Sequence, residues 1–186
     1  MPLRVVGGGL RGRRLSTVPG LRTRPTADRT REAVFNILGA AVRGARVLDL
    51  FAGTGAYGIE ALSRGARCAA FVESDRAALA VLRRNIEACR LLEHTRVVGR
   101  DALDRLDGLT QEGCRFNLVF IDPPYRRAMI PPALAALDRS GCLEKGAEIV
   151  AEHGADEPLG DILPAFRLDD RRRYGKTIVS FLEYVV

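Results

Sequence analysis

Tryptophan is absent from this chain, and histidine and lysine occur only twice each, as His94, His153, Lys145 and Lys176. The four cysteines, Cys68, Cys89, Cys114 and Cys142, stand more than twenty residues apart. No pair has metal-ligand spacing, so neither a zinc site nor a disulfide framework is expected. No secretory segment precedes the cysteines, and they read as reduced thiols of a cytoplasmic protein. Neither histidine has a partner at useful spacing, which makes both structural or surface residues. No apolar run reaches membrane-spanning length, so no membrane association is expected. Repeats and low-complexity tracts are missing too.

What is present is a chain of 186 residues, 47% hydrophobic and 28% charged. That suffices for one domain with a sizeable core, and a monomer suits the size. The formal charge is +6, unevenly distributed. Residues 1–46 hold ten arginines against Asp28 and Glu32, a balance of +8, and the remainder carries −2. A genome rich in G and C would favour arginine over lysine throughout, but would not cluster it. A basic segment on a near-neutral body points to a polyanion, and guanidinium forks match phosphate oxygens.

From Arg46 onward, short apolar runs alternate with helical stretches. The runs at 46–51, 68–73, 95–99, 116–122 and 147–152 read as buried parallel strands. Helices are expected at 56–64, 75–91 (capped by Ser74 or Asp75), 101–107 and 127–139. The order implies an α/β protein with a Rossmann-like, mostly parallel sheet and helices on both faces. Residues 165–185 read as two strands around a Tyr174-Gly175 turn, an antiparallel C-terminal hairpin. Residues 1–45 form a basic extension: two short strands around a glycine-rich turn in 3–18, then a helix over 26–42 capped by Thr26 or Asp28. Residues 46–186 form the main domain.

Gly53, Gly55 and Gly58 satisfy G-x-G-x-x-G after the first strand, and Glu73 follows Gly53 by 20 residues. That spacing fits several nucleotide cofactors. Asp49, just ahead of the glycines, would repel a pyrophosphate but attract the ammonium and sulfonium of S-adenosylmethionine. Glu73 can accept both ribose hydroxyls, and Asp101 can accept from an adenine amine. Phe51, Thr54, Ser74 and Ala102 flank these acids and complete the expected cofactor set. Any one of the acids alone reads equally well as a cap or a surface charge. Three at successive strand ends converge where such sheets bind ligands.

The fourth strand ends in Asp122-Pro123-Pro124-Tyr125. The prolines remove N–H donors and hold the chain extended, leaving the Pro123 carbonyl without a local donor. That carbonyl and Asp122 can hold the two hydrogens of an exocyclic amine, while Tyr125 stacks on the base. The acceptors also stabilise the positive charge that develops on nitrogen during methyl transfer. The alternative is a rigid turn that only ends a strand.

With these motifs the sequence resembles the Rossmann-like methyltransferases of base amino groups, and within them the RsmD family of bacterial 16S rRNA guanine-N2 methyltransferases. The resemblance spans nearly the whole chain. Its more specific carriers are 4-RVVGGGLRGRRL-15 and 22-RTRPTADRTREAVFNIL-38. It implies that Asp49, Gly53, Gly55, Glu73 and Asp101 contact S-adenosylmethionine and that Asp122 to Tyr125 hold a guanine amine. It also implies a folded 16S rRNA substrate in a partly assembled 30S particle. The Asp form of the tetrapeptide does not separate guanine N2 from adenine N6. On this reading Arg11, Arg13, Arg14, Arg22, Arg24, Arg29 and Arg31 meet RNA phosphates near the active-site mouth.

Three other readings share parts of the pattern. A DNA adenine-N6 or cytosine-N4 methyltransferase would use the same tetrapeptide, but the chain has no extra domain to read DNA sequence. A dinucleotide-dependent oxidoreductase is opposed by Asp49 and the Pro-Pro turn. A non-catalytic RNA-binding module would leave the acid-lined pocket without a purpose.

Overall fold

The computed structural model describes residues 3–18, 25–104, 106, 108–109, 115–125, 127–157, 159–160 and 162–186, with side chains from residue 28 in the second stretch. Among these residues seven strands form one sheet. They are β1 (Arg46–Leu50), β2 (Cys68–Glu73), β3 (Thr95–Gly99), β4 (Phe116–Ile121), β5 (Leu143–Gly154), β6 (Phe166–Tyr174) and β7 (Thr177–Tyr184). Their order is β3-β2-β1-β4-β5-β7-β6. The first five are parallel, and β7 pairs antiparallel with β5 and β6. Among the described residues four helices pack on the sheet: α1 (Pro25–Leu38), α2 (Ala56–Ser63), α3 (Arg76–Ala88) and α4 (Ile130–Ser140).

Alternation along each strand divides the core between the two faces. On β1, Val47 belongs to the cluster of Phe35, Ile59, Phe71, Leu82 and Phe120, beneath α1, α2 and α3. Leu48 and Leu50 belong to the opposite cluster, with Leu134, Leu137 and Ile149 beneath α4. Successive strand side chains point to opposite faces, so Asp49 shares the α2 side with Val47. Local chemistry sets the helix ends. Asp75 caps α3 by accepting from the Ala78 N–H at 2.8 Å. Pro131 and Pro132 open α4, and Gly141 closes it at φ 60°.

The N-terminal residues join the main core: Leu3, Val5, Leu15, Val34 and Phe35 all lie in the α2-side cluster. Three expectations need correction. Residues 3–18 form a looser hairpin with one bridge, Arg4 to Arg14, around a 3₁₀ turn at Gly8–Leu10. Here Gly8 has φ +74°, and an added Cβ would lie 1.9 Å from the Ser63 carbonyl oxygen, so backbone rests directly on α2. The first helix starts at Pro25, placing Thr26 and Asp28 inside it, and residues 39–42 continue as a 3₁₀ turn. No helix forms among the described residues of 101–107, where Ala102–Leu103 is a turn. That stretch is too short to nucleate helix alone, and burial of Ala102, Leu106 and Leu109 in the α4-side cluster fixes its path. Among the described residues, no helix is long and apolar enough to cross a membrane.

Candidate active site

Parallel strands β1 to β4 end at one edge of the sheet, and the predicted motifs sit in the loops that leave it. Directly after β1, Phe51 adopts φ 58°, a left-handed conformation uncommon for a bulky residue. Gly53 at φ 54° and Gly55 at φ 80° continue the sharp turn, and Gly55 caps α2. The third glycine serves packing: a Cβ on Gly58 would lie 2.3 Å from the Phe71 ring and 3.2 Å from Asp49 Oδ2. Helix α2 can therefore approach the sheet closely enough for the Gly58 N–H to donate to Asp49 Oδ2 at 2.9 Å. Asp49 is 2% exposed. Burial pushes its carboxyl up to about 8; the Gly58 N–H opposes the rise, and the nearby Glu73 charge adds to it.

Glu73 ends β2 and ties the loop together. Its Oε2 accepts from the Gly53 N–H at 2.7 Å, and its Oε1 accepts from Ser74 and Asp75 N–H, each at 2.8 Å. Each oxygen keeps acceptor capacity, since a carboxylate offers about four lone-pair sites. Asp101 is exposed beyond β3 and accepts from the Leu103 N–H at 2.9 Å. Ala102 is buried beside it. Asn85 of α3 donates to the Thr54 carbonyl at 2.9 Å and holds the loop from the outside.

The tetrapeptide follows β4. Register pairs Ile121 with Ala151 of β5, so the next residues, Asp122 just past β4 and Glu152 still within β5, lie side by side. Burial, then the charge of Glu152, then that of Asp49, hold the Asp122 carboxyl well above the usual carboxylate range, with Arg31 opposing. Two carboxylates on neighbouring strands cannot both ionise cheaply, and the cost falls on Asp122.

Glu152 was not singled out in the sequence, where it reads as the last residue of a buried strand. In the structure it is 7% exposed and accepts from two phenols. Tyr57 of α2 donates to its Oε2 at 2.8 Å, and Tyr125 donates to its Oε1 at 2.8 Å. Tyr125 Oη also lies 3.0 Å from Thr177 Oγ1 of β7. Burial and the Glu152 charge raise the Tyr125 phenol well above its ordinary value, so it stays a donor. Tyr57 is wedged against Phe120, ring centroids 4.8 Å apart. One carboxylate thus links the helix behind the glycine loop to the tetrapeptide. An alternation pattern shows that Glu152 is buried but not what it faces. Its one sequence signal is an acid inside an apolar run.

The arginines divide. Arg22 and Arg24 lie outside the described residues. Arg11, Arg13, Arg14 and Arg29 are exposed. Arg31 is 3% exposed, so the expectation that it meets phosphate at the surface is corrected. Its guanidinium donates to Asp28 at 3.0 Å and to the Arg4 carbonyl at 2.6 Å, and lies 3.8 Å from Glu60. Glu60 is fully buried, accepting from the Val6 N–H at 2.8 Å and Arg64 at 2.7 Å. Arg31 thus anchors the extension from inside.

The position of Arg11, Arg13 and Arg14 also differs from expectation. The Leu10 N–H bonds Ser63 Oγ at 2.9 Å, and Arg13 donates to the Ala88 carbonyl at 2.6 Å. Ser63 and Ala88 are the last residues of α2 and α3. Both helices start beside the glycine-loop edge and run away from it. At 1.5 Å per residue, the hairpin tip lies about 12 Å or more from the mouth. His153 is structural, with Nε2 3.0 Å from Ser180 Oγ and Nδ1 2.8 Å from the Glu157 carbonyl.

Comparison with known proteins accords with this geometry. The family model described as Conserved hypothetical protein 95 matches residues 3–183. Ribosomal RNA small subunit methyltransferase D of Escherichia coli (strain K12) is 39% identical over 157 residues, covering 84% of this chain and 77% of that one. The Bacillus subtilis (strain 168) protein YlbH is 36% identical over 178 residues, covering 96% and 97%. The solved structure of E. coli yhhF superposes with a TM-score of 0.85 at 35% identity, covering 100% of this chain and 99% of that one.

Proposed function

This chain belongs to the RsmD family, matched by the Conserved hypothetical protein 95 model, and on that footing we propose that it methylates the exocyclic N2 amine of a guanine in 16S rRNA. The observation that carries the reading is the placement of Asp122 to Tyr125 at the same sheet edge as the glycine loop. Asp122 there is close enough to Asp49 for the Asp49 charge to raise the cost of ionising Asp122. The methyl donor is S-adenosylmethionine, which supplies an electrophilic methyl group. The residues fit it: a buried carboxyl held near 8 is an acid that a cationic ligand would ionise, and a pyrophosphate would not. Asp49, Phe51, Gly53, Thr54 and Gly55 would hold its amino-acid end. Glu73 with Ser74 would hold the ribose, and Asp101 with Ala102 the adenine.

The chain's own groups then act on the amine. Asp122 and the Pro123 carbonyl accept its two N–H bonds and aim the nitrogen lone pair. The ring of Tyr125 faces the base, with its hydroxyl fixed by Glu152 and Thr177. After methyl transfer the nitrogen must lose a proton. Asp122, made more basic by burial and by Glu152, is matched to take it. Pro124, exposed beside it, stiffens the loop. Arg11, Arg13, Arg14, Arg22, Arg24 and Arg29 contact rRNA phosphates. The enzyme works as a cytoplasmic monomer on a partly assembled 30S particle.

The test is methyl transfer from labelled S-adenosylmethionine to protein-free 16S rRNA, partly assembled 30S particles and DNA, with nucleosides resolved by mass. The expected product is N2-methylguanosine, lost in Asp122→Ala. Label confined to DNA would replace this reading with a DNA amino-methyltransferase. Label in N6-methyladenosine would refute the choice of base.

A further inference from the structure

We propose that the end of the sheet opposite the catalytic edge is a second docking surface for RNA phosphates, formed by Arg43, Arg67 and Arg90 together with the hairpin arginines. Each of the three precedes the N-terminal end of a strand. Arg43 lies before β1, Arg67 before β2 and Arg90 before β3, and these strands are neighbours in the order β3-β2-β1. All three side chains are exposed, as are those of Arg11, Arg13 and Arg14. None of Arg11, Arg14, Arg43, Arg67 and Arg90 makes an ion pair among the described residues.

Backbone hydrogen bonds stitch these loops into one surface. The Gly44 N–H donates to the Gly65 carbonyl, and the Arg67 N–H to the Ala45 carbonyl, both at 2.8 Å. The hairpin tip joins through Ser63 and Ala88, the latter two residues before Arg90. Arg90 itself sits at φ 58°, a conformation rare for arginine, with its N–H donating to the Glu87 carbonyl at 2.9 Å. The tip borders a shallow, open groove of about 640 Å³ lined by Gly9 to Arg14 and Ala88. Among the described residues nearby acids are few: Glu60 is spent on Arg64 and Arg31, and Glu144 on Arg46, leaving Glu87 and Glu93.

Spacing decides what this surface can bind. Strand β1 has five residues. At about 3.3 Å per residue, some 17 Å separates the two ends of the sheet. Nucleotides beside Asp122 cannot also reach Arg67. The occupant is a second segment of a large folded RNA that passes around the protein. The catalytic edge selects the amine, and the far edge selects a substrate big enough to span both. This rests on the proposed reading for the identity of the substrate, but RNA binding can be measured without catalysis.

The experiment uses the full chain carrying Arg43→Glu, Arg67→Glu and Arg90→Glu, with the triple glutamine variant as the milder form. Affinity for a 16S rRNA domain and for a short hairpin of about four base pairs, shorter than that separation, is measured across salt, beside melting temperature. Steady-state methyl transfer to 30S particles is measured in parallel. Expected are a KM for the large substrate raised at least tenfold with kcat unchanged, an intermediate effect of glutamine, and unchanged hairpin affinity. The salt slope should become shallower by about 2 to 3, one counterion step per lost contact. Unaltered affinity and slope for the large RNA in a folded triple variant would overturn the proposal. An equal loss on the short hairpin would also overturn it, because the arginines would then act as a general field. A wild-type protein that methylates no RNA would defeat the proposed function and leave the binding result standing.

Discussion

Replacing Asp49 with Asn separates the stability of the loop from its use. Asp49 is buried with a carboxyl near 8, against 3.8 for an unperturbed aspartate. A group whose folded pKa is raised binds its proton more tightly in the folded state, so stability falls as pH climbs between those two values. At about 1.4 kcal/mol per unit, full ionisation costs an upper bound of roughly 6 kcal/mol. Asn keeps an acceptor for the Gly58 N–H and mimics the neutral acid. Without cofactor, Asp49→Asn should melt with the wild type near pH 4 and above it at pH 8.5. At about 2–4 °C per kcal/mol for a domain of this size, realising half of the bound gives a gap of about 6–12 °C. With S-adenosylmethionine the order should reverse, since the ammonium and sulfonium stabilise an ionised Asp49 and do nothing for Asn. Calorimetry at pH 7 in buffers of different ionisation enthalpy should show wild-type binding releasing about one proton, and the variant none. A melting gap independent of pH, or wild-type cofactor affinity in the variant, would refute the reasoning.

Other outcomes follow from the same contacts. Glu152→Gln removes the charge beside Asp122, so the acidic limb of kcat against pH should move to lower pH and kcat should fall at neutral pH; an unmoved limb would show that Glu152 does not tune Asp122. Gly58→Ala drives a methyl into the Phe71 ring and against Asp49, and should cost about 1–3 kcal/mol by denaturant titration while weakening cofactor binding. Glu60→Ala strips the Val6 N–H of its acceptor and leaves the buried Arg31 with Asp28 alone as its ion-pair partner, and should destabilise by about 3–5 kcal/mol, with hydrogen exchange at Val6 rising before the rest of the core.

Which features were legible in the sequence follows from how far apart in the chain their causes lie. The parallel strands were readable because each is a short apolar run, and burial of β1, β2 and β4 on both faces needs no distant information. The runs at 68–73 and 95–99 match β2 and β3 residue for residue. The glycine loop and tetrapeptide were readable because each packs its chemistry into a few consecutive residues. Tertiary placement was not. Arg31 sits in the same basic stretch as Arg29, yet one turns inward to Asp28 and Glu60 while the other faces solvent. Glu60 comes from α2, and nothing near Arg31 in the chain announces it. Charge alone says what the hairpin arginines suit and not where they lie, which Ser63 and Ala88 decide.

Glu152 shows the same limit at the centre of the site. Its function depends on a register that sets Ile121 against Ala151, on a phenol from α2 and on another from the tetrapeptide. These partners span 95 residues of sequence, from Tyr57 to Glu152. A rigid link follows from that convergence. Any shift of α2 that moves the glycine loop must also move Tyr57, and through Glu152 it reaches Tyr125. The helix behind the glycine loop and the tetrapeptide are therefore positioned by one carboxylate. Substitutions at Tyr57 and Tyr125 should couple in a double-mutant cycle by more than either contact alone explains, although the two rings belong to different elements.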